Sequence, residues 1–279
     1  MALTLDNVEV KKGFYKLVAL DMDGTVLTKD KSVTQKTKDI LKKAQDEGIR
    51  PVIVTGRPPC GIVNYAKEMG ILHSNAYAVC YNGAAIVELN DFHDVYSLCA
   101  DGRSIKEVTK LAHKFNCKVH AYSKARGLVI EDLNPATTRE VVHSGAPYTA
   151  IDFMQCEDNE PFYKILIVGP DEDLDKVRAA ISPSLHELFT VMRSDPNFLE
   201  FIPFDGTKGK ALGELCKILD IEIERTMAFG DAENDCKMLE TAGLGVAMAN
   251  AMPEAKKAAK AITLSNEEDG VAVFLERFL

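Results

Sequence analysis

Apolar runs that stop abruptly alternate with amphipathic stretches along the first third of the chain. KLVAL at 16–20 is continuously apolar up to Val18–Leu20 and ends at Asp21, as a strand buried on both faces of a parallel sheet does. Residues 34–47 set Ile40, Leu41 and Ala44 among charged neighbours and run into Gly48, which predicts a helix with its C-terminal stop. PVIV at 51–54 reads as a second buried strand, 60–69 as a helix, and AYAVCYN at 76–82 as a third strand. This alternation predicts an α/β fold with a doubly wound parallel sheet, Rossmann-like in layout.

The pattern changes after residue 86. A helix over 103–115 (Ile105, Val108, Leu111, Ala112, Phe115) precedes the strand-like runs CKVHAY and GLVIED. A helix at 135–143, YKILIVG at 163–169, a helix at 172–181, and the paired runs FTVMRS and FLEFIP follow. Helices interleaved with adjacent strand pairs predict an antiparallel α+β module. From 207 the α/β pattern returns: GKALGELCKIL as a helix, TMAFG at 226–230 as a strand, 233–241 as a helix, GLGVAMA as a strand and 253–260 as a helix. The expected organisation is a core domain of 1–86 and 203–279 with an inserted α+β domain at 87–202.

Composition narrows the function classes. With 46% hydrophobic and 27% charged residues, the chain belongs with globular proteins that bury a sizeable core. The net charge of -9, with no long basic cluster, argues against nucleic acid as a partner. KKAAK at 256–260 fits the wet face of a helix. Seven scattered cysteines without a C-x-x-C pair suit neither a disulfide framework nor a zinc site. No run of about 18 apolar residues predicts a membrane span, and the N-terminus lacks a signal-peptide core. A cytoplasmic protein is expected.

The chemistry gathers where the strands end. In open α/β sheets the working groups lie beyond the carboxyl ends of the strands. Here those ends read DMDGT (Asp21 to Thr25), TGR (Thr55, Gly56, Arg57), YNG (Tyr81, Asn82, Gly83) and DAEND (Asp231 to Asp235). Asp21 and Asp23, two apart on extended backbone, are expected to project to one side. Such a pair repels unless a cation intervenes or one acid is protonated, and either outcome suits phosphoryl transfer, one carboxylate attacking phosphorus and the other donating a proton. Alone, D-x-D-G is equally an Asp-Gly turn, and Asp231 an N-cap with Asn234 and Asp235 in the first helical turn. Acids from neighbouring strands on one rim instead call for a hard divalent cation, Mg²⁺. The Thr55 hydroxyl, amides near Gly56 and the Lys208 ammonium would then neutralise phosphoryl oxygens. Arg57 either contacts substrate or forms a salt bridge.

DMDGT, the strand-terminal Thr-Gly-Arg, the Lys-Gly pair opening a helix and GDAEND, in this order, resemble the four motifs of the haloacid dehalogenase-like hydrolase superfamily. YNGA, VAMANA and EDGVA resemble its Cof-type branch with a type IIB cap, which the inserted domain matches by arrangement and not by residue. The resemblance implies a phosphatase of small phosphorylated metabolites (sugar phosphates, nucleotides or cofactor phosphates). It implies Asp21 as nucleophile, Asp23 as general acid and base, and phosphate binding by Thr55, Gly56, Lys208 and Asn234. Mg²⁺ would be held by Asp21, the backbone carbonyl of Asp23, and Asp231, with Asp235 beside or just behind the ion. Arg57 and Asn82 are candidates for the substrate side. A phosphomutase with the same aspartyl chemistry and a non-catalytic ligand binder are the competing readings. Inside the cap, His120, Tyr122, Lys124, Arg126 and Arg193 are polar positions expected mostly at ordinary surface.

Overall fold

A computed structural model describes residues 3, 4 and 7–279. Its packing divides the chain into two compact units, 1–96 with 207–279 and 97–206.

The first unit begins with strands β1 (Leu3–Thr4) and β2 (Leu17–Leu20). Helix α1 (Gln35–Asp46), strand β3 (Arg50–Val54), helix α2 (Val63–Glu68) and strand β4 (Tyr77–Cys80) follow. The Thr34 side chain caps α1 by accepting from the Thr37 amide, and Ile40, Leu41 and Ala44 form its buried stripe. Strands β5 (Ala85–Glu88) and β6 (Asp94–Ser97) extend the sheet, β5 running antiparallel to β4.

The second unit contains helix α3 (Gly102–His113), strands β7 (Lys118–Ser123) and β8 (Gly127–Ile130), helix α4 (Pro135–Ser144) and strand β9 (Tyr148–Ala150). It continues with strand β10 (Phe162–Val168), helices α5 (Asp171–Ala179) and α6 (Pro183–Leu188), and strands β11 (Phe189–Asp195) and β12 (Phe198–Pro203). The sheet order is β11-β12-β10-β7-β8-β9, antiparallel except for β8 with β9. Val119, Ala121, Ile165, Ile167, Leu199 and Phe201 alternate onto one face and pack with Ile105 and Val108 of α3 and Leu174 and Val177 of α5. His120 and Tyr122 fall on the opposite face and are buried there. This corrects the expectation of surface positions: strand alternation places them on a second interior face.

The first unit resumes with helix α7 (Lys208–Leu219), strand β13 (Thr226–Gly230), helix α8 (Cys236–Thr241), strand β14 (Leu244–Ala247), helix α9 (Pro253–Ala258), strand β15 (Ala261–Ile262) and helix α10 (Gly270–Leu275). Its sheet order is β1-β15-β14-β13-β2-β3-β4-β5-β6. β2 pairs in parallel with both β3 and β13, and the chain winds outward from it in both directions. Asp21 thus stands at the topological switch point, where α/β sheets open a crevice.

Three expected elements change form. The helix read over 60–69 divides into a 3₁₀ turn at Pro59–Gly61 and α2. The strand read over 76–82 ends at Cys80, because Tyr81 and Asn82 take positive φ of 53° and 59° in a tight turn. The helix read over 233–241 opens as a 3₁₀ turn at Glu233–Asp235, because Asp235 Oδ2 accepts the amides of Asp231 (2.9 Å) and Ala232 (3.0 Å).

Candidate active site

Backbone pairing fixes the strand tips in register. The Asp21 amide donates to the Phe229 carbonyl at 3.1 Å, and the Asn82 amide to the Thr55 carbonyl at 2.9 Å. DMDGT, TGR, YNG and GDAEND are therefore neighbours on one rim. β2 is buried throughout, and Phe229 beside it is fully enclosed, worth about 1.5–3 kcal/mol for such a side chain. The rim rests on a rigid floor.

Lys208 is the hinge of the charges. It is the first residue of α7, where the helix dipole disfavours a cation, and it is 1% exposed. Its Nζ donates to Asp21 Oδ1 at 2.6 Å and to Asp235 Oδ1 at 2.6 Å. Two buried carboxylates offset the dipole and hold the ammonium charged, with its pKa raised above the ordinary lysine value.

Carboxylate oxygens of Asp21, Asp231 and Asp235 lie within 4.8 Å of one another. Burial, and then the Asp235 charge, pushes Asp21 well above the usual carboxylate range; Lys208 pulls it down, and Asp231 adds to the rise. Burial and Asp235 likewise push Asp231 up to about 6. Three carboxylates against one ammonium leave two negative charges in a desolvated place, and only a cation or a proton removes that repulsion. The donors are all hard oxygens, the set that suits Mg²⁺. The residues present therefore fit the ion.

Gly24 makes the acid cluster possible. Its φ is +83°, and a Cβ there would overlap the Asp231 carboxylate. Thr25 Oγ1 donates to Asp231 Oδ1 at 2.9 Å, and Asn250 Nδ2 donates to the Gly24 carbonyl at 2.8 Å. Sequence reasoning gave neither residue a role. Thr25 lay within DMDGT and Asn250 within VAMANA, but only the fold shows what each touches.

Asp23 departs from its expected geometry. After Asp21 the chain leaves the extended conformation, with the Met22 carbonyl accepting from the amides of Thr25, Val26 and Leu27, so the two-residue alternation does not apply. The Asp23 carboxylate lies outside the acid cluster. It takes a bidentate pair from Arg57 (2.8 and 2.7 Å) and a bond from Lys31 at 2.7 Å. These two cations, acting against its partial burial, hold Asp23 well below the usual carboxylate range. For Arg57 the salt bridge is realised, and the guanidinium also stacks 5.3 Å from the Tyr65 ring.

The phosphate-side candidates come together. Thr55 is 2% exposed, and its Oγ1 accepts from the Arg57 amide at 3.2 Å. Asn234 Nδ2 donates to Asn82 Oδ1 at 2.9 Å, tying the β4 tip to the turn after β13. Gly56 lies against Asn82, whose Oδ1 would be 2.8 Å from a Cβ at that position.

An open α/β sheet with an acid cluster and a buried lysine at its switch point defines a phosphoryl-transfer type of hydrolase. The family model for haloacid dehalogenase-like hydrolases matches residues 18–275, and the chain belongs to that family. Phosphatase YwpJ of Bacillus subtilis is 31% identical over 294 residues, covering 95% of this chain and 100% of the relative. The HMP-PP phosphatase of Yersinia enterocolitica is 30% identical over 273 residues, covering 95% and 96%. A solved haloacid dehalogenase-like hydrolase from Bacteroides thetaiotaomicron superposes with a TM-score of 0.85 at 33% identity, covering 95% of this chain and 100% of the other. The chain is a hydrolase of the Cof type among phosphatases.

Proposed function

We propose that the chain hydrolyses small phosphate monoesters with Mg²⁺, Asp21 serving as the nucleophile. The observation that carries this reading is the triad of Asp21, Asp231 and Asp235 within 4.8 Å, balanced only in part by Lys208. Asp21, the main-chain carbonyl of Asp23, and Asp231 would hold the ion, with Asp235 fixing Lys208 and the turn behind it. Bound there, the ion supplies the positive charge that keeps Asp21 ionised and screens the incoming phosphate.

An Asp21 carboxylate oxygen attacks phosphorus, the phosphorus–oxygen bond to the alcohol breaks, and the departing oxygen takes a proton from Asp23. In the second step Asp23 takes a proton from water as that water attacks phosphorus, which frees Asp21 and inorganic phosphate. Paired with Arg57 and Lys31, Asp23 stands in the base form that the second step needs. Its acid form requires release of the Arg57 contact. The Thr55 hydroxyl, amides near Gly56, Asn234 and Lys208 would bind the phosphoryl oxygens, with Arg57 and Asn82 as the candidates for the leaving-group side. Small phosphorylated metabolites fit as substrates, as the name of the HMP-PP phosphatase indicates for that relative. Among the described residues no cysteine forms a disulfide, which accords with the cytoplasm as its compartment.

The test is a phosphate-release screen over many phosphomonoesters with and without Mg²⁺, with Asp21→Asn as control. Release from several substrates in Mg²⁺, falling by about three or more orders of magnitude in the variant, is expected. Full activity in Asp21→Asn defeats the mechanism.

A further inference from the structure

The turn that follows DMDGT brings a cation back to Asp23. Its backbone closes on itself, the Thr28 amide donating to the Ser32 carbonyl at 3.0 Å and the Lys31 amide to the Thr28 carbonyl at 2.9 Å. Lys31 takes a left-handed φ of 57° there, and its Nζ donates to Asp23 Oδ1 at 2.7 Å. Arg57 reaches the same carboxylate from the tip of β3, with Nε on Oδ2 at 2.8 Å and Nη2 on Oδ1 at 2.7 Å. Both oxygens of Asp23 are thus held by cations, and the two cations come from different loops.

Tyr65 of α2 joins these loops. The Arg57 guanidinium lies over its ring, 5.3 Å from the centroid, inside the cation–π range of about 6 Å. Its hydroxyl donates to the Lys31 carbonyl at 3.3 Å. The ring therefore backs one cation, and the hydroxyl ties down the main chain that carries the other. α2 is seated by Ala66, with Ile62 and Met69 buried at its two ends, whereas Tyr65 is only half-buried. The helix does not need this tyrosine for its own packing.

We propose that Tyr65 is a positioning residue that aims the Asp23 carboxylate by bracing both of its cations. This role rests on the reading of Asp23 as the proton donor to the departing oxygen. A proton passes along a hydrogen bond of about 2.6–3.2 Å, and a misplacement of about 1 Å can cost on the order of 10²-fold in rate. Asp23 sits in the turn where three amides gather on the Met22 carbonyl, beyond the strand that fixes Asp21. The direction of its side chain is therefore set by Arg57 and Lys31. A brace common to both keeps the carboxylate aimed while one contact is exchanged for the leaving oxygen.

The test compares kcat/KM of the full chain for p-nitrophenyl phosphate and for an alkyl phosphate, since kcat/KM reports the step that expels the alcohol. The nitrophenolate leaves with little help, whereas an alkoxide needs the proton. Tyr65→Leu should lower the alkyl ester about tenfold or more beyond any loss with p-nitrophenyl phosphate. Tyr65→Phe keeps the ring under Arg57 and loses only the bond to Lys31. It should show the same preference with a loss of about threefold, the scale of one neutral hydrogen bond, and it serves if Tyr65→Leu does not fold. Equal losses on both esters, the mark of a merely structural tyrosine, overturn the role, as does no loss on either. Asp23→Ala separates this role from the reading beneath it and should lower the alkyl ester preferentially, by about 10²–10⁴-fold. A selective Asp23→Ala with unselective Tyr65 variants removes Tyr65 alone. An unselective Asp23→Ala overturns the assignment of Asp23, and the role of Tyr65 with it.

Discussion

The Nζ of Lys208 lies 2.6 Å from Asp21 Oδ1, and this single contact joins the first residue of α7 to the end of β2. The same nitrogen reaches Asp235, so one buried cation orients two acids from different strands. Lys208→Met should lower phosphate release by about 10²–10³-fold, the range for removing one preorganised charge donor. Two carboxylates would then stay buried without a cation, and breaking a buried pair costs about 3–5 kcal/mol. Added Mg²⁺ should recover part of the thermal midpoint and little of the rate. A variant with wild-type turnover removes Lys208 from the machinery.

Gly24 tests the close approach at the cluster. Gly24→Ala meets both a positive φ and the Asp231 carboxylate, a combination that costs more than the roughly 1 kcal/mol of ordinary left-handed strain. Weakened Mg²⁺ binding, seen as a smaller thermal shift on adding the ion, is expected together with the lower midpoint. Gly70→Ala has a similar φ of +68° but open space around it; it should cost stability and leave the Mg²⁺ shift intact. Equal Mg²⁺ shifts in both variants would show that the contact with Asp231 is dispensable.

Asp231 gives a pH dependence with a definite sign. Burial beside Asp235 raises its folded pKa to about 6, above the unfolded value of about 3.9. Between these values the folded chain binds the proton more tightly, so stability without Mg²⁺ should fall as pH rises through this window. Mg²⁺ takes the deprotonated form, so its affinity should drop as pH falls below about 6, by up to about tenfold per unit. Thermal midpoints at pH 5 and pH 7, with Mg²⁺ and with a chelator, read both slopes. Identical Mg²⁺ shifts at the two pH values contradict the proton competition.

Strands whose sequence pattern has one period throughout were legible. β2, β3 and β13 are apolar runs that stop at polar tips, so their ends could be aligned before any coordinates. The local chain path beyond those tips was not. Asp23 turns toward Arg57 because the Met22 carbonyl gathers three amides, and nothing in a two-residue spacing encodes that bend. Thr25 and Asn250 matter through contacts with residues far away in sequence. The expected boundary at residue 86 cuts through β5 and leaves β6 in the insertion, since an antiparallel edge carries no α/β alternation to announce it. His120 and Lys164 are polar letters within apolar strands; only pairing register shows that they share one interior face.

β2 and β13 are direct neighbours, although Thr25 and Asp231 at their tips stand 206 residues apart in sequence. A ribosome therefore releases β2 long before β13, the strand that flanks it. Residues 97–206 are contiguous and can complete their sheet while the outer one still has an open flank. Until residues 226–230 emerge, β2 is an apolar edge without its second neighbour. Production of this enzyme thus depends on the last quarter of translation, and truncated products ending before that point carry an adhesive strand and no acid cluster.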